Sequence, residues 1–236
     1  MSPALVISRR ELRTYFNSPV AYIVVTVFTI ITGYLFFTQL FVENQAEMRG
    51  FFGTMPLLFM FLAPAITMRL LADEKSSGTL ELLITMPVRD WEVVVGKFLA
   101  AMGLVCTALV LTMVFAITVR AIGPLDRGPA IGGYLGLLLM GGAYVSIGVM
   151  CSAFTRNSIV AFIVAFAISF ALFLFGHVVQ FVPQGLQPLV AFLSISNHFE
   201  NISRGVIDTR DVFYYLSVMG VSLLLATLAL ESRRWR

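Results

Sequence analysis

Residues 131–153, IGGYLGLLLMGGAYVSIGVMCSA, run for twenty-three positions without one charged side chain. This stretch decides the fold class, because about 20 consecutive apolar residues in a helix cross the roughly 30 Å hydrocarbon core of a bilayer. Working outward, five more such runs lie near 20–42, 52–70, 98–119, 158–182 and 212–230. Apolar side chains surround each run instead of forming one stripe, as lipid or neighbouring membrane helices permit. The expected architecture is an all-α integral membrane protein with six transmembrane helices, forming one domain over residues 1–236.

The whole chain agrees. Of its 236 residues 58% are hydrophobic and 12% charged, and the mean hydropathy is +0.90. An ordinary soluble domain carries about 25% charged residues, so a soluble fold is excluded, and 21 Phe exclude a disordered chain. A net charge of +3 without a basic cluster offers no nucleic-acid surface. Cys106 and Cys151 sit inside apolar runs, where neither a disulfide framework nor a zinc site has a partner. The first apolar run starts only after Arg9, Arg10, Glu11 and Arg13 and is too long for a leader's apolar region, so no cleaved signal peptide is expected.

Six crossings put both termini on one side. With the N terminus inside, the inner segments hold Arg9, Arg10, Arg13, Arg69, Lys75, Arg89, Lys97, Arg156, Arg233, Arg234 and Arg236, eleven cations. The outer segments hold five: Arg49, Arg120, Arg127, Arg204 and Arg210. The positive-inside rule therefore favours N-in and C-in. All 29 charged residues fall outside the six runs or at their edges. An ion-coupled carrier keeps such a group in its bundle, so this counts against a secondary carrier, and the lone His177 reads as a structural hydrogen-bonder.

Three segments are more than spans or plain loops. In residues 4–16, Leu5, Leu12, Tyr15 and Phe16 share one helical arc and Arg9, Arg10 and Arg13 another, as in a helix lying on the membrane surface. An ordinary positive flank for the first span is the alternative. Asn17, Ser18 and Pro19 break that helix. In residues 68–98, Ser76, Ser77 and Gly78 offer a helix break and an N-cap for a short helix over 79–85. Glu81 falls in its first turn and Pro87 stops it. Residues 183–211 are too polar to span and too apolar to float, so short half-inserted helices are expected. There Leu186, Leu189, Val190 and Leu193 share a face, and Glu200 and Arg204 are spaced as an i,i+4 pair. In the fourth span Gly132 and Gly136, then Gly142 and Ser146, have the small-xxx-small spacing of close helix packing.

Catalytic motifs are absent. Gly96-Lys97 is followed by Phe98 and lacks the preceding glycine of a phosphate loop, so this chain should not hydrolyse ATP. No H-E-x-x-H or G-x-S-x-G occurs, and no catalytic residue and no metal ligand is assigned.

The stretch EKSSGTLELLITMPV, Glu74 to Val88, followed by WEVVVGKF, resembles the cytoplasmic signature of ABC-2 type transporter permeases. RRELRTYFNSPVAY, from Arg9 to Tyr22, and SNHFENISRGVIDTRD, from Ser196 to Asp211 with Tyr214 and Tyr215 after it, resemble the gliding-motility-type permease subunit. The resemblance implies a six-helix half-transporter in the bacterial inner membrane. It has an amphipathic N-terminal helix (1–17), a coupling helix in the loop 73–87 and outer re-entrant helices (183–211). By that analogy Glu74, Lys75, Ser77, Gly78, Thr79, Glu81 and Pro87 belong to the segment that docks on a separate ATP-binding subunit, present in two copies and carrying ATP and Mg. The outer segment contributes His198, Phe199, Glu200, Arg204, Asp208, Arg210 and Asp211. The resemblance further implies a second permease copy, identical or related, and an auxiliary subunit with a large extracytoplasmic domain. An exporter is the expected function. A non-transporting complex that passes ATP-driven motion to an envelope or motility machine is the alternative, and a secondary carrier the third reading.

Overall fold

In the computed structural model of the chain, residues 2–43, 47–79, 88–123 and 125–232 are described. Among them the regular elements are all helical: α1 (Pro3–Asn17), α2 (Pro19–Glu43), α3 (Arg49–Thr67), α4 (Ala72–Ser77), α5 (Asp90–Ile122), α6 (Arg127–Phe154), α7 (Ser158–Val178), α8 (Gln187–Leu193), α9 (Ile195–Ser203) and α10 (Thr209–Glu231). A single 3-10 turn, Val179–Phe181, ends α7. The six helices α2, α3, α5, α6, α7 and α10 are long and apolar enough to cross a membrane.

Several helices begin where a polar side chain takes up free amide groups. Asp126 accepts from the Gly128 amide, Asn157 from those of Ile159 and Val160, and Asp208 from that of Arg210. At the start of α5 the Glu92 carboxylate reaches back to the Arg89 N–H at 2.9 Å. With 33 residues, α5 is about 50 Å long and outruns the hydrocarbon core by several turns. It starts eight residues earlier than the apolar run suggests. Lys97 therefore lies inside a helix, two turns from its N terminus, and not in a loop.

The centre of the bundle is α6, most of which is buried, packed against α3, α5, α7, α9 and α10. Glycine makes this possible. A Cβ on Gly148 would fall 1.9 Å from Thr67 Oγ1, and one on Gly132 would fall 2.5 Å from the Ile202 carbonyl. Gly136 lies against Ile202 and Phe199, Gly142 against Met219, and Ser146 is buried with its hydroxyl donating to the Ala143 carbonyl. Gly132 and Gly136 thus face α9, Gly142 faces α10 and Gly148 faces α3 of the same chain. Phe36, Phe51, Phe52, Phe115 and Tyr134 interlock α2, α3, α5 and α6, with Phe36 stacked on Phe115 at 4.9 Å. By contrast α7 buries only Ala161, Ala165 and Ser169, and α2 and α10 leave long apolar faces uncovered.

The close approach of α6 to α3 gives a direct test. Gly148→Ala should destabilise the detergent-solubilised protein by about 1–3 kcal/mol, because the added methyl has nowhere to go. Gly220→Ala on α10, whose Cβ would meet nothing within 4 Å, should be neutral or stabilising by up to about 1 kcal/mol. Equal thermal shifts for the two variants would contradict this packing.

Candidate functional site

At the end of the bundle that carries α1 and α4, three peripheral elements meet on one buried cation. Lys97 is 1% exposed, and its Nζ donates to Glu74 Oε1 at 2.7 Å and to Glu11 Oε1 at 3.3 Å. Glu11 comes from α1, Glu74 from α4 and Lys97 from α5. An ammonium out of water costs several kcal/mol unless paired, and two carboxylates supply that pairing. Among the described residues the second oxygen of Glu74 is buried without a partner, and Lys97 is the hydrogen-bond partner of this carboxylate.

Local sequence explains why the three meet. Ala4, Ile7, Glu11, Leu12 and Tyr15 follow helical spacing and form the face of α1 that packs on α5. α1 comes close because α5 presents glycine beneath it: a Cβ on Gly96 would lie 2.8 Å from the Ala4 carbonyl and 2.9 Å from Ile7, and one on Gly103 would lie 2.9 Å from Leu12. Leu5, expected on the covered arc, is exposed, since it sits one position out of that register. Arg9, Arg10 and Arg13 are exposed on the opposite face. At the far end of α1 the Tyr15 hydroxyl donates to the Ile66 carbonyl at 2.8 Å, fastening α1 to α3. Burial, with Glu11 adding to it, raises the Tyr15 phenol well above its ordinary pKa and keeps it a neutral donor.

A second stitch joins α4 to the central helix. Between α3 and α4 the chain leaves helical geometry over 68–71, and the freed backbone groups need partners. The Ser152 hydroxyl of α6 accepts from the Leu71 and Ala72 amides and donates to the Met68 carbonyl, each at 3.0 Å. One buried hydroxyl thus satisfies three main-chain groups.

The expected partner-facing residues divide. Glu74 turns inward to Lys97, and Lys75 is 6% exposed. Ser77 is the last residue of α4, where its hydroxyl donates to the Asp73 carbonyl and meets Thr79 Oγ1 at 2.9 Å. The reason lies just before it, where Ala72 to Lys75 already form a helical turn with Asp73 and Glu74 at its positive end. Gly78 ends that turn at φ +74°, a conformation that costs other residues strain. Thr79 is exposed, whereas Glu81, Pro87 and the short helix over 79–85 lie, apart from Thr79, outside the described residues. Spacing pointed to neither Lys97, Glu11 nor Ser152. An isolated lysine two turns into an otherwise apolar helix was the available signal.

The opposite end has its own polar knot. His198 on α9 is buried, with Nδ1 2.6 Å from Asp211 Oδ1 and Nε2 2.9 Å from the Phe192 carbonyl. Tyr214 stacks on His198 at 4.0 Å and donates to the Leu193 carbonyl, while Tyr215 donates to the Ile195 carbonyl. Asp211 Oδ2 and the Tyr144 hydroxyl are buried there without hydrogen-bond partners among the described residues. The buried face of this segment is α9, through Ile195, His198, Phe199 and Ile202, whereas Leu186, Leu189 and Leu193 are exposed. Glu200 and Arg204 pair at the surface, Asp208 caps α10, and Arg210 lies over the Phe192 ring. Among the described residues no His, Cys, Asp and Glu group could hold a metal ion.

Lys97→Met should destabilise the protein by about 3–5 kcal/mol, because two carboxylates are left facing each other without their cation. Adding Glu11→Gln and Glu74→Gln in the same chain should return most of that loss, since the repulsion goes with the charges. Thermal unfolding of the single and triple variants in detergent measures both, and a triple variant no better than the single would contradict a charge-based node.

A search of curated proteins finds no match to this chain. The family model described as ABC-2 family transporter protein matches residues 5–231, from the first turn of α1 to the end of α10, and so takes in both polar knots and all six spanning helices. With nearly its whole length matched, the chain belongs to the ABC-2 family of transporter proteins, as a multi-pass membrane permease.

Proposed function

We propose that this chain is the permease subunit of an ATP-driven exporter in the bacterial cytoplasmic membrane, with the α1 and α4 end facing the cytoplasm. Residues 78–89 dock on a separate ATPase, two copies of which bind ATP and Mg and close on each other as they turn over. The observation that carries the reading is the Lys97 node. It ties Glu74, four residues before the docking segment, to α1 and to the long α5, so a push on the segment reaches a spanning helix through a buried charge contact. The Ser152 stitch gives the same push a second route, into α6. A bundle of six spans is half of what this family resemblance implies around one pathway, and the uncovered apolar faces of α2, α7 and α10 leave room for a second permease copy. The likeness of the α9 region and of α1 to gliding-motility-type permeases supports that subtype and an auxiliary extracytoplasmic subunit.

A non-transporting motor complex would use the same node, and the two readings separate on substrate flux. In either, docking and transmission are distinct steps. Glu81→Lys should abolish co-purification of the ATPase by reversing a charge in the docking segment. Lys97→Met should leave the ATPase bound yet reduce its stimulation by the permease about tenfold, the equivalent of some 1.4 kcal/mol. Pull-down in mild detergent followed by an ATPase assay measures both. Full stimulation with Lys97→Met would overturn transmission through the node, and retained binding with Glu81→Lys would overturn the dock.

A further inference from the structure

The loop from α5 to α6 brings two arginines to one cavity. Arg120 lies in the last turn of α5, Arg127 is the first residue of α6, and both line a cavity of about 390 Å³ with Gly123, Leu125, Ala130 and Ile131. Neither arginine is in an ion pair among the described residues. The adjacent carboxylate, Asp126, is engaged with the Gly128 amide at 3.3 Å.

This arrangement runs against local electrostatics. A cation suits the C-terminal end of α5, but Arg127 stands at the positive end of α6, and the two arginines line one concavity. Like charges gathered at one cavity repel until an anion sits between them. A guanidinium presents paired N–H groups that match a phosphate in a bidentate manner, which an ammonium cannot do.

The surroundings narrow the anion. The cavity lies at the ends of two helices long and apolar enough to cross a membrane, and its other walls are apolar. Ile131 in the cavity wall and Ile122, next in sequence to Gly123 of that wall, are 67% and 63% exposed, so apolar side chains flank the arginines. The wall is rigid as well. Gly205, at φ +87°, packs against the Gly128 and Pro129 backbone, and Gly132 lies under the Ile202 carbonyl, so the start of α6 is backed by the end of α9.

We infer that this cavity binds the phosphate headgroup of an anionic membrane amphiphile, with Arg120 and Arg127 sharing the phosphate and the acyl chain lying along Ile122 and Ile131. On the sidedness proposed above this is an outer-leaflet lipid, and the site stands whether or not the chain couples to an ATPase. The volume suits a headgroup and the first part of its chains, at the lower end of the range for small-molecule sites.

The test is thermal unfolding of the full chain in detergent with added dioctanoyl phosphatidylglycerol, dioctanoyl phosphatidylcholine or inorganic phosphate, for the wild type and Arg120→Gln/Arg127→Gln. The phosphatidylglycerol is expected to raise the wild-type transition by several degrees and the double variant by far less, with apparent affinity about tenfold weaker or worse. Both side chains are exposed and unpaired, so the unliganded variant should unfold where the wild type does. Should it not, Arg120→Lys/Arg127→Lys keeps the charge but loses the bidentate geometry, and its affinity should fall between the two. An equal shift in wild type and variant, or a shift reproduced by phosphatidylcholine, would overturn the site. A shift reproduced by inorganic phosphate alone would overturn the amphiphile in favour of a free-anion site.

Discussion

Lys97 holds a positive charge at 1% exposure, and most of what is unusual at its end of the molecule follows from the need to keep that charge satisfied. A buried ammonium is tolerable only with carboxylates fixed beside it, and here they come from two other helices. Neither α1 nor α4 is long enough to be a stable helix by itself in water, at 15 and six residues. Each is held by packing, and each delivers one carboxylate to the same nitrogen. Their positions are therefore coupled. α4 cannot move away from the bundle without uncovering Lys97, and α1 cannot lift from Gly96 and Gly103 without leaving the same charge with a single partner.

A second polar knot stands at the far end, built by a similar rule. His198 and Asp211 join α9 to α10, and the Tyr214 and Tyr215 hydroxyls take up the Leu193 and Ile195 carbonyls, where the backbone leaves one short helix and enters the next. Where water is scarce, irregular backbone persists only if side chains satisfy it. Ser152 does this beside α4, and the tyrosines do it beside α9. Between the two ends the spans meet through glycines, phenylalanines and hydroxyl groups turned back on their own helices, such as Thr67 to Ala63 and Ser146 to Ala143.

The gross fold was legible because a bilayer imposes length and polarity on every crossing. The six apolar runs match six helices to within a few residues, except at α5, whose polar first turns carry no hydropathy signal. The glycine spacing in α6 was legible as close packing, although spacing does not say which helix comes near, and that proved to be α9 and α10. Pairings across the chain were not legible. Glu11 and Lys97 are 86 residues apart, and Leu71 and Ser152 are 81 apart, so only the packed helices bring them together. Ser77 was ambiguous in sequence, because serine before glycine suits both ends of a helix. The turn Ala72–Ser77 claimed it as a last residue, leaving the left-handed conformation to Gly78. Spacing gave Leu186 and Leu189 a shared face without saying whether it meets lipid or protein, and in the folded chain both are exposed.

The distribution of polar contacts constrains how such a bundle can move. Dispersion contacts between apolar faces are numerous and individually weak, so spans packed through glycine and phenylalanine can tilt against one another with modest loss. A charge pair such as Lys97 with Glu74 has no near-equivalent geometry, because a shift of a few ångströms strands a buried ion. Displacement applied at α4 is thus passed on as motion of α5 and α1 together, while the Ser152 contact ties α6 to the same displacement. At the other end His198 and Asp211 bind α9 to α10 with the same intolerance, and the start of α6 packs on α9 through Gly132. With stiff polar junctions at its two ends and an apolar middle, the bundle passes force along whole helices.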